Sequence, residues 1–289
     1  MKSNQYGYFS LIMSHHQHVV IQMGLQTSTK TRFTPAQEDR FWRWGMQVAF
    51  FVVLFGVWEW FGRTRGGLLF APFSETFVAW IALVSQPEIY EALWLSNQAM
   101  LLGFALAVFL GIPIGLLIGR LEKLEKFLDI YLNILLVTPM SALIPIIIVA
   151  LGIDLSSRVL VVFLFSFPII TVNTRTGLKN LDPSLIEMAR SFGATELQLW
   201  RRILLPGATP AMMAGIRLGL GRALSGMIVV ELLLVAVGVG AMILNSMGFF
   251  KPEITYSVII VIIIEVMVVM GIAKRIEERL VSWRPRGER

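Results

Sequence analysis

The sequence predicts an all-α, polytopic membrane protein: six transmembrane helices with a helical cytoplasmic loop between the fourth and fifth. Three observations predict it. Hydrophobic residues make up 56% of the 289 residues and charged residues only 15%, against about 25% charged in an average soluble domain, and the mean hydropathy is +0.71. Six apolar runs are long enough to span a bilayer. Lysine and arginine gather in alternate connecting loops. This composition excludes a disordered chain, a disulfide-stapled secreted domain and almost any water-soluble fold. The chain has no cysteine, which excludes thiolate metal sites and cysteine nucleophiles.

A hydrocarbon core about 30 Å thick needs roughly 20 apolar residues per spanning helix. The runs lie at about 44–62, 98–119, 127–151, 158–174, 207–235 and 256–273. Pro113, Pro139, Pro145 and Pro168 fall inside them. In water these prolines would argue against helices, but membrane helices accept them when neighbours re-satisfy the freed carbonyls.

Placing both termini in the cytoplasm puts nineteen Lys and Arg on the inner side and four (Arg63, Arg65, Arg158, Lys251) on the outer side, the bias expected of cytoplasmic loops. Arg217 and Arg222 fall within the fifth run. The chain then divides into a disordered cytoplasmic tail (1–40), a transmembrane domain (41–280) carrying the cytoplasmic loop 175–206, and a cytoplasmic tail (281–289). The first 40 residues are polar and aperiodic and show no apolar core with a small-residue cleavage site, so no cleaved signal peptide is expected. His15, His16 and His18 are read as part of a loose tail rather than a metal site, and Met23 offers an alternative start.

Small residues recur every fourth position in two runs: Gly103, Ala107, Gly111, Gly115 and Gly119 in the second, and Gly207, Ala211, Gly215, Gly219 and Ala223 in the fifth. Such a smooth face lets helix backbones approach closely where lipid supplies no hydrophobic drive. Close packing is the expectation, with a flexible hinge as the alternative.

The loop 175–206 reads RTGLKNLDPSLIEMARSFGATELQLWRRILLP. Asp182 is placed to cap a helix with Pro183 at its first position, where a missing N–H costs nothing. Leu185, Met188, Ala189 and Phe192 share one face by their i, i+3, i+4, i+7 spacing. Gly193 ends this helix as a left-handed residue, and Thr195 with Gln198 forms a capping box for a second helix. Leu197, Trp200, Ile203 and Leu204 give that helix an apolar side, and Pro206 closes the segment where the fifth span begins. Three readings fit the hairpin: a DNA-binding helix-turn-helix, an element lying on the lipid surface, or a docking element for a soluble partner. Flanking spans make entry into a DNA groove implausible.

The hairpin resembles the EAA loop of the inner-membrane permeases of bacterial ABC importers, the binding-protein-dependent transport family. That pattern is EAA, three residues, Gly, nine residues, then I-x-L-P. Here Glu187, Met188 and Ala189 are followed by Gly193, and nine residues later come Ile203, Leu204, Leu205 and Pro206. Every fixed position matches except Met188, where the family has Ala. The similarity extends over roughly 50–280, and 68–80, 103–119 and 206–224 are similar to the subgroup for nitrate, sulfonate and taurine.

The resemblance implies a permease dimer, in the simplest case a homodimer. In each copy Leu185, Glu187, Met188, Ala189, Phe192, Gly193, Ile203, Leu205 and Pro206 form the ATPase-coupling segment, seated in a cleft of a cytoplasmic ATPase subunit. ATP and Mg belong to that partner, with no cofactor on this chain, and a separate substrate-binding protein delivers a small anion. The sequence itself contains no G-x-x-x-x-G-K-[ST] phosphate loop, so ATP hydrolysis falls to another chain. No HExxH motif, metal site, Ser/His/Asp set or convincing carboxylate pair supports catalysis, and the chain is read as a transport subunit rather than an enzyme. The alternatives are a secondary transporter, for which internal repeats and coupling-ion sites are expected, and a non-transporting membrane scaffold.

Charges at bilayer depth cost about 2.5–3.5 kcal/mol on insertion scales and so face protein or water. Glu265 sits mid-run, at a depth similar to that of Arg217, so a Glu265–Arg217 or Glu265–Arg222 pair is expected to hold the bundle. Direct anion contact by an unpaired Arg222 is the alternative. Glu231, near the outer end of the fifth run, is either a gate or an exposed rim carboxylate. Thr138, Ser141 and Asn173, with Ser166, Thr171 and Ser225, are further candidates for the substrate path, each also explained by an internal helix hydrogen bond.

Overall fold

The computed structural model describes residues 35–233 and 237–281, with side chains from Trp42 onward. The described residues fold into helices and turns. Thr195–Gln198 and the other capping signals matter here because each helix end leaves backbone groups unpaired.

Two compact units partition the chain, 1–57 and 58–289. The described part of the first is helical, belonging to α1 (Pro35–Arg65), and Trp42, Trp44, Phe50 and Val52 are exposed along it. A helix apolar on several faces is one whose surroundings are lipid rather than water. Helix already covers 35–40, which were expected to belong to the tail; the rest of that tail, with the His15, His16, His18 tract and Met23, and the tail from 282 onward lie outside the described residues.

The second unit begins with the last turns of α1. It continues through α2 (Phe73–Val84), α3 (Pro87–Arg120), α4 (Glu122–Val137), a 3-10 turn (Met140–Leu143), α5 (Ile144–Leu151) and α6 (Leu155–Lys179). Then come α7 (Pro183–Ser191), α8 (Glu196–Leu199), a π turn (Trp200–Leu204), α9 (Leu205–Leu233), α10 (Gly238–Gly248) and α11 (Pro252–Leu280). Among the described residues, four helices are long and apolar enough to cross a membrane, or up to six if each of two bent pairs forms one span, by length and composition. The helix α2 was not expected; its twelve residues are too few to span. It packs instead on α11, where Ser257 Oγ donates to Thr76 O at 2.9 Å.

The run expected as one third span is broken. α4 and the 3-10/α5 segment meet at 91°, because Pro139 has no N–H to continue the ladder. Pro145 falls in the first turn of α5, where its missing N–H is harmless, while Pro113 and Pro168 are carried inside α3 and α6.

α6 is the centre of the unit, and the small-residue faces explain why. A Cβ on Gly103 would sit 2.7 Å from Val162, one on Gly111 3.1 Å from Thr171, and one on Gly115 2.7 Å from Thr174. On the other side, a Cβ on Gly215 would meet Asn173 at 2.7 Å and one on Gly219 would meet Ile170 at 2.6 Å. Both stripes are packing surfaces for α6, and Ala107 and Ala223 are fully buried. Without a hydrophobic drive in lipid, this close contact supplies the cohesion. Beyond the stripes, Leu83, Ile89, Val239, Ile243, Val258 and Ile262 join α2, α3, α10 and α11.

Candidate functional site

The hairpin between α6 and α9 forms as a set of local signals. Asp182 Oδ1 accepts the Ser184 N–H at 2.9 Å, and Pro183 occupies the first position of α7. Accepting that N–H holds the Asp182 carboxyl below the ordinary aspartate range. At the other end Gly193 has φ +76°. Its N–H reaches Arg190 O at 2.9 Å and that of Ala194 reaches Ala189 O at 3.0 Å, the pair of bonds that closes a Schellman motif. Thr195 and Gln198 then exchange bonds at 2.8 and 3.4 Å, completing the capping box.

The second helix is short: four α residues lead into the π turn, and the whole run Glu196–Leu233 continues as one helix. Leu205 N–H bonds to Trp200 O in the wider π register just before Pro206, so the missing Pro206 donor is absorbed without a break. The hairpin's second helix is therefore continuous with α9.

The base of the hairpin is apolar and closed. Leu178, Ala189, Leu199, Leu204 and Ala208 are buried together, with Leu116 and Ile186 against them, and the Leu181 side chain fills the space beside Gly207. Glu196 reaches Arg120 at 3.3 Å and Arg190 at 3.1 Å, tying α3 and α7 to the start of α8. Leu185, Met188 and Leu197 are exposed, and Phe192 is 85% exposed. Ala189 departs from the expected common face. It points inward with Ile186, because α7 carries two apolar arcs and the closed base takes the one with the smaller residue. Glu187 is exposed, and Ile203, Leu205 and Pro206 are half-buried at the root of α9.

The polar groups within the spans are arranged differently from the expectation. Glu265 does not pair with Arg217 or Arg222: Asn97 Nδ2 donates to Glu265 Oε1, and Arg217 pairs with Glu277 at 2.9 Å, about 18 Å further along α11. The expected match counted depth from the ends of the apolar runs, but α11 continues to Leu280, so Arg217 lies level with its last turns rather than with Glu265. Arg222 is exposed, with no ion pair among the described residues. Glu231 is no rim carboxylate. It is 0% exposed, accepts from Ser96 Oγ at 2.9 Å and from Gly240 N–H at 3.0 Å, and lies 4.0 Å from Arg158. Ser96 Oγ in turn accepts the Val239 N–H at 3.0 Å. Ser96 and Glu231 thus fix the first turn of α10, whose free N–H groups favour a carboxylate.

Hydroxyl and amide groups along the spans mostly close on their own helices. Thr138, Ser166, Thr171 and Ser225 each donate to the carbonyl four residues back, at 2.7, 2.8, 2.8 and 3.0 Å, and Asn173 does the same at 2.7 Å. That satisfies each polar group inside the helix. Ser141 is exposed in the 3-10 turn that follows the broken span.

The family model described as the binding-protein-dependent transport system inner membrane component matches residues 111–282. The chain belongs to this family. An aliphatic sulfonates transport permease protein, SsuC of Bacillus subtilis, is 32% identical over 202 residues, covering 70% of this chain and 73% of its own. The taurine transport system permease protein TauC of Escherichia coli is 26% identical over 257 residues, covering 84% and 93%. Among solved structures, the MetNI methionine ABC transporter in inward-facing conformations matches with a TM-score of 0.56 at 22% identity, over 67% of this chain and 94% of that one. That likeness concerns the fold.

In this permease the sequence pattern located the hairpin but missed Arg158, Ser96 and Asn97. Arg158 reads as a loop cation at the edge of a run, and Ser96 and Asn97 lie just before the apolar run at 98–119. For Ser96 and Asn97 the available signal is Pro87, a helix-starting proline well before the purely apolar stretch.

Proposed function

We propose that the chain is the transmembrane subunit of an ATP-driven ABC importer, translocating a small anion of the sulfonate, taurine or nitrate class. A binding protein delivers the anion on the outer side, a second copy completes the path, both termini are cytoplasmic, and a separate ATPase binds the hairpin. The reading is carried by one observation: Leu185 and Met188 on α7 and Phe192 at its C-terminal end stand exposed while the helix's other side is sealed into a closed apolar base. Exposed apolar groups on a rigid mount suit insertion of a helix into a partner's groove. The names of the sulfonate and taurine relatives support the substrate class. An exposed, unpaired Arg222 within a span supports anion contact, since a charge there faces protein or water.

The test is copurification from detergent. The ATPase accompanies the wild-type permease and is released by Gly193→Asp with Glu187→Lys; persistence of the complex with both changes would sink the docking role. Uptake of radiolabelled sulfonate against nitrate in reconstituted vesicles then selects the anion. Loss of uptake in Arg222→Ala supports its place on the path, and unchanged uptake and affinity remove it.

A further inference from the structure

We infer that the groove between α3, α9 and α11 seats one acyl chain of an anionic phospholipid from the leaflet on the hairpin side, with Arg217 at its headgroup.

The groove encloses about 300 Å³. Met100 and Leu220 are buried at its floor, and Leu101, Ile272 and Ile276 are exposed along its rim. An apolar cleft on the flank of a membrane bundle takes hydrocarbon rather than water.

Its polar groups stand at the two ends. Asn97 lies level with Glu265, to which it donates, and Arg217 lies level with Glu277, which it meets at 2.9 Å. Both Asn97 and Arg217 line the groove. Glu265 and Glu277 are twelve residues apart on α11, about 18 Å. Glu265 sits in the middle of the apolar run 256–273, so it marks the bilayer centre. One leaflet contributes about half of a hydrocarbon core about 30 Å thick. The groove therefore runs from the bilayer centre to the level where headgroups begin, the depth of a single acyl chain.

The charge at the headgroup end suits an anion. At this level α9 and α11 carry four cations, Arg217, Lys274, Arg275 and Arg279, against two carboxylates, Glu277 and Glu278. Arg279 follows Ile272 and Ile276 at i+7 and i+3, so it extends the face of the rim toward the headgroups. Glu277 meets the Nε of Arg217, and a guanidinium keeps further N–H donors on its two terminal nitrogens. Basic pockets between membrane helices hold anionic headgroups. A second protein surface laid on the groove would instead bury the Arg217–Glu277 pair, which is part-exposed in this chain, at a desolvation cost. A headgroup leaves the pair in interfacial water.

The test uses the full-length permease in detergent, titrated with phosphatidylglycerol or with zwitterionic phosphatidylcholine of the same acyl chains. Native mass spectrometry counts the bound lipid. Phosphatidylglycerol binds about tenfold more tightly than phosphatidylcholine, as a matched charge requires. Arg217→Gln lowers that preference about fivefold, the share of one cation near the surface, and Glu277→Gln raises it. Both variants break the same ion pair, so a merely structural role would move them alike. Ala273 lines the groove, and Ala273→Phe fills it without a change of charge and weakens the binding of both lipids. Three results overturn the assignment: equal binding of the two lipids, a preference that the charge variants leave unmoved or shift in one direction, and undiminished binding in Ala273→Phe. So does lipid held by the monomer and absent from the dimer, where a second copy would fill the groove. If Ala273→Phe fails to accumulate, the opposed charge variants decide alone. Lipid binding needs neither ATPase nor substrate, so a failure here is distinct from a failure of ATPase copurification.

Discussion

At one end of the helix bundle, α3, α6 and α9 converge on Glu231, a carboxylate without solvent exposure that is bonded to Ser96 and Gly240 and lies near Arg158. At the hairpin end, α3, α6 and α9 converge on Leu178, Leu199 and Leu204, and the polar groups (Asp182, Glu196, Thr195) sit on the outside closing turns. One junction is polar within and sealed. The other is apolar within and presents Leu185, Met188, Phe192 and Leu197 outward. A buried carboxylate with specific partners fixes one arrangement and loses heavily when altered. An apolar base tolerates small rigid-body shifts while its exposed face remains free for a partner. The difference separates a junction closed on itself from one that leaves apolar side chains at the surface.

The largest expected effect is at the sealed junction. Glu231→Ala leaves Arg158 buried without its counterion and strips α10 of its anchor, a loss of about 3–5 kcal/mol. Thermal unfolding in detergent reads it, and an unchanged midpoint would mean the junction is not sealed. At the hairpin, Gly193→Val forces a β-branched residue into the left-handed region at φ +76°, at a cost of about 1–2 kcal/mol. That cost is confined to the hairpin: limited proteolysis there accelerates while the global midpoint moves little.

Phe192→Ser sharpens the contrast further. A side chain 85% exposed contributes little to the isolated permease, so stability stays within about 0.5 kcal/mol, yet ATPase copurification falls. A fall in stability of the size seen for Glu231→Ala would place Phe192 in the fold rather than on a docking face.

The smallest effect is on acidity. Asp182 titrates below its ordinary value when folded, so its cap contributes at pH above the unfolded value and is lost as pH falls through the folded one. Hydrogen exchange of the Ser184 amide should speed up in that acid range, and Asp182→Asn should flatten the dependence. A wild-type rate that follows the Asn variant throughout would remove Asp182 as the cap.

Much of this was legible in the residues. The capping signals of the hairpin are local, satisfied within a few positions of Asp182, Gly193 and Thr195, and local chemistry is what a sequence encodes most directly. The four-residue spacing of Gly103 to Gly119 and Gly207 to Ala223 likewise declared two packing faces, though not that one helix, α6, lies between them. Pro139 was visible, but a proline in a membrane helix is compatible with both a kink and a break, and neighbours decide which. The partners of Glu265 and Arg217 were misjudged because apolar runs do not mark where helices end: α11 extends to Leu280, which sets Arg217 level with Glu277 and Glu265 level with Asn97.

By itself, the sequence determined that the chain is helical and membrane-spanning, because apolar runs of that length have few other stable forms, and it determined where the hairpin turns, because caps act over three or four residues. Only the tertiary structure decided which charges meet, how Ala189 and Ile186 turn inward while Phe192 stays out, and that the third span bends by 91°. Those outcomes depend on distances between residues far apart in the chain, such as Ser96 and Glu231 or Asp129 and Arg175, and no local pattern fixes them.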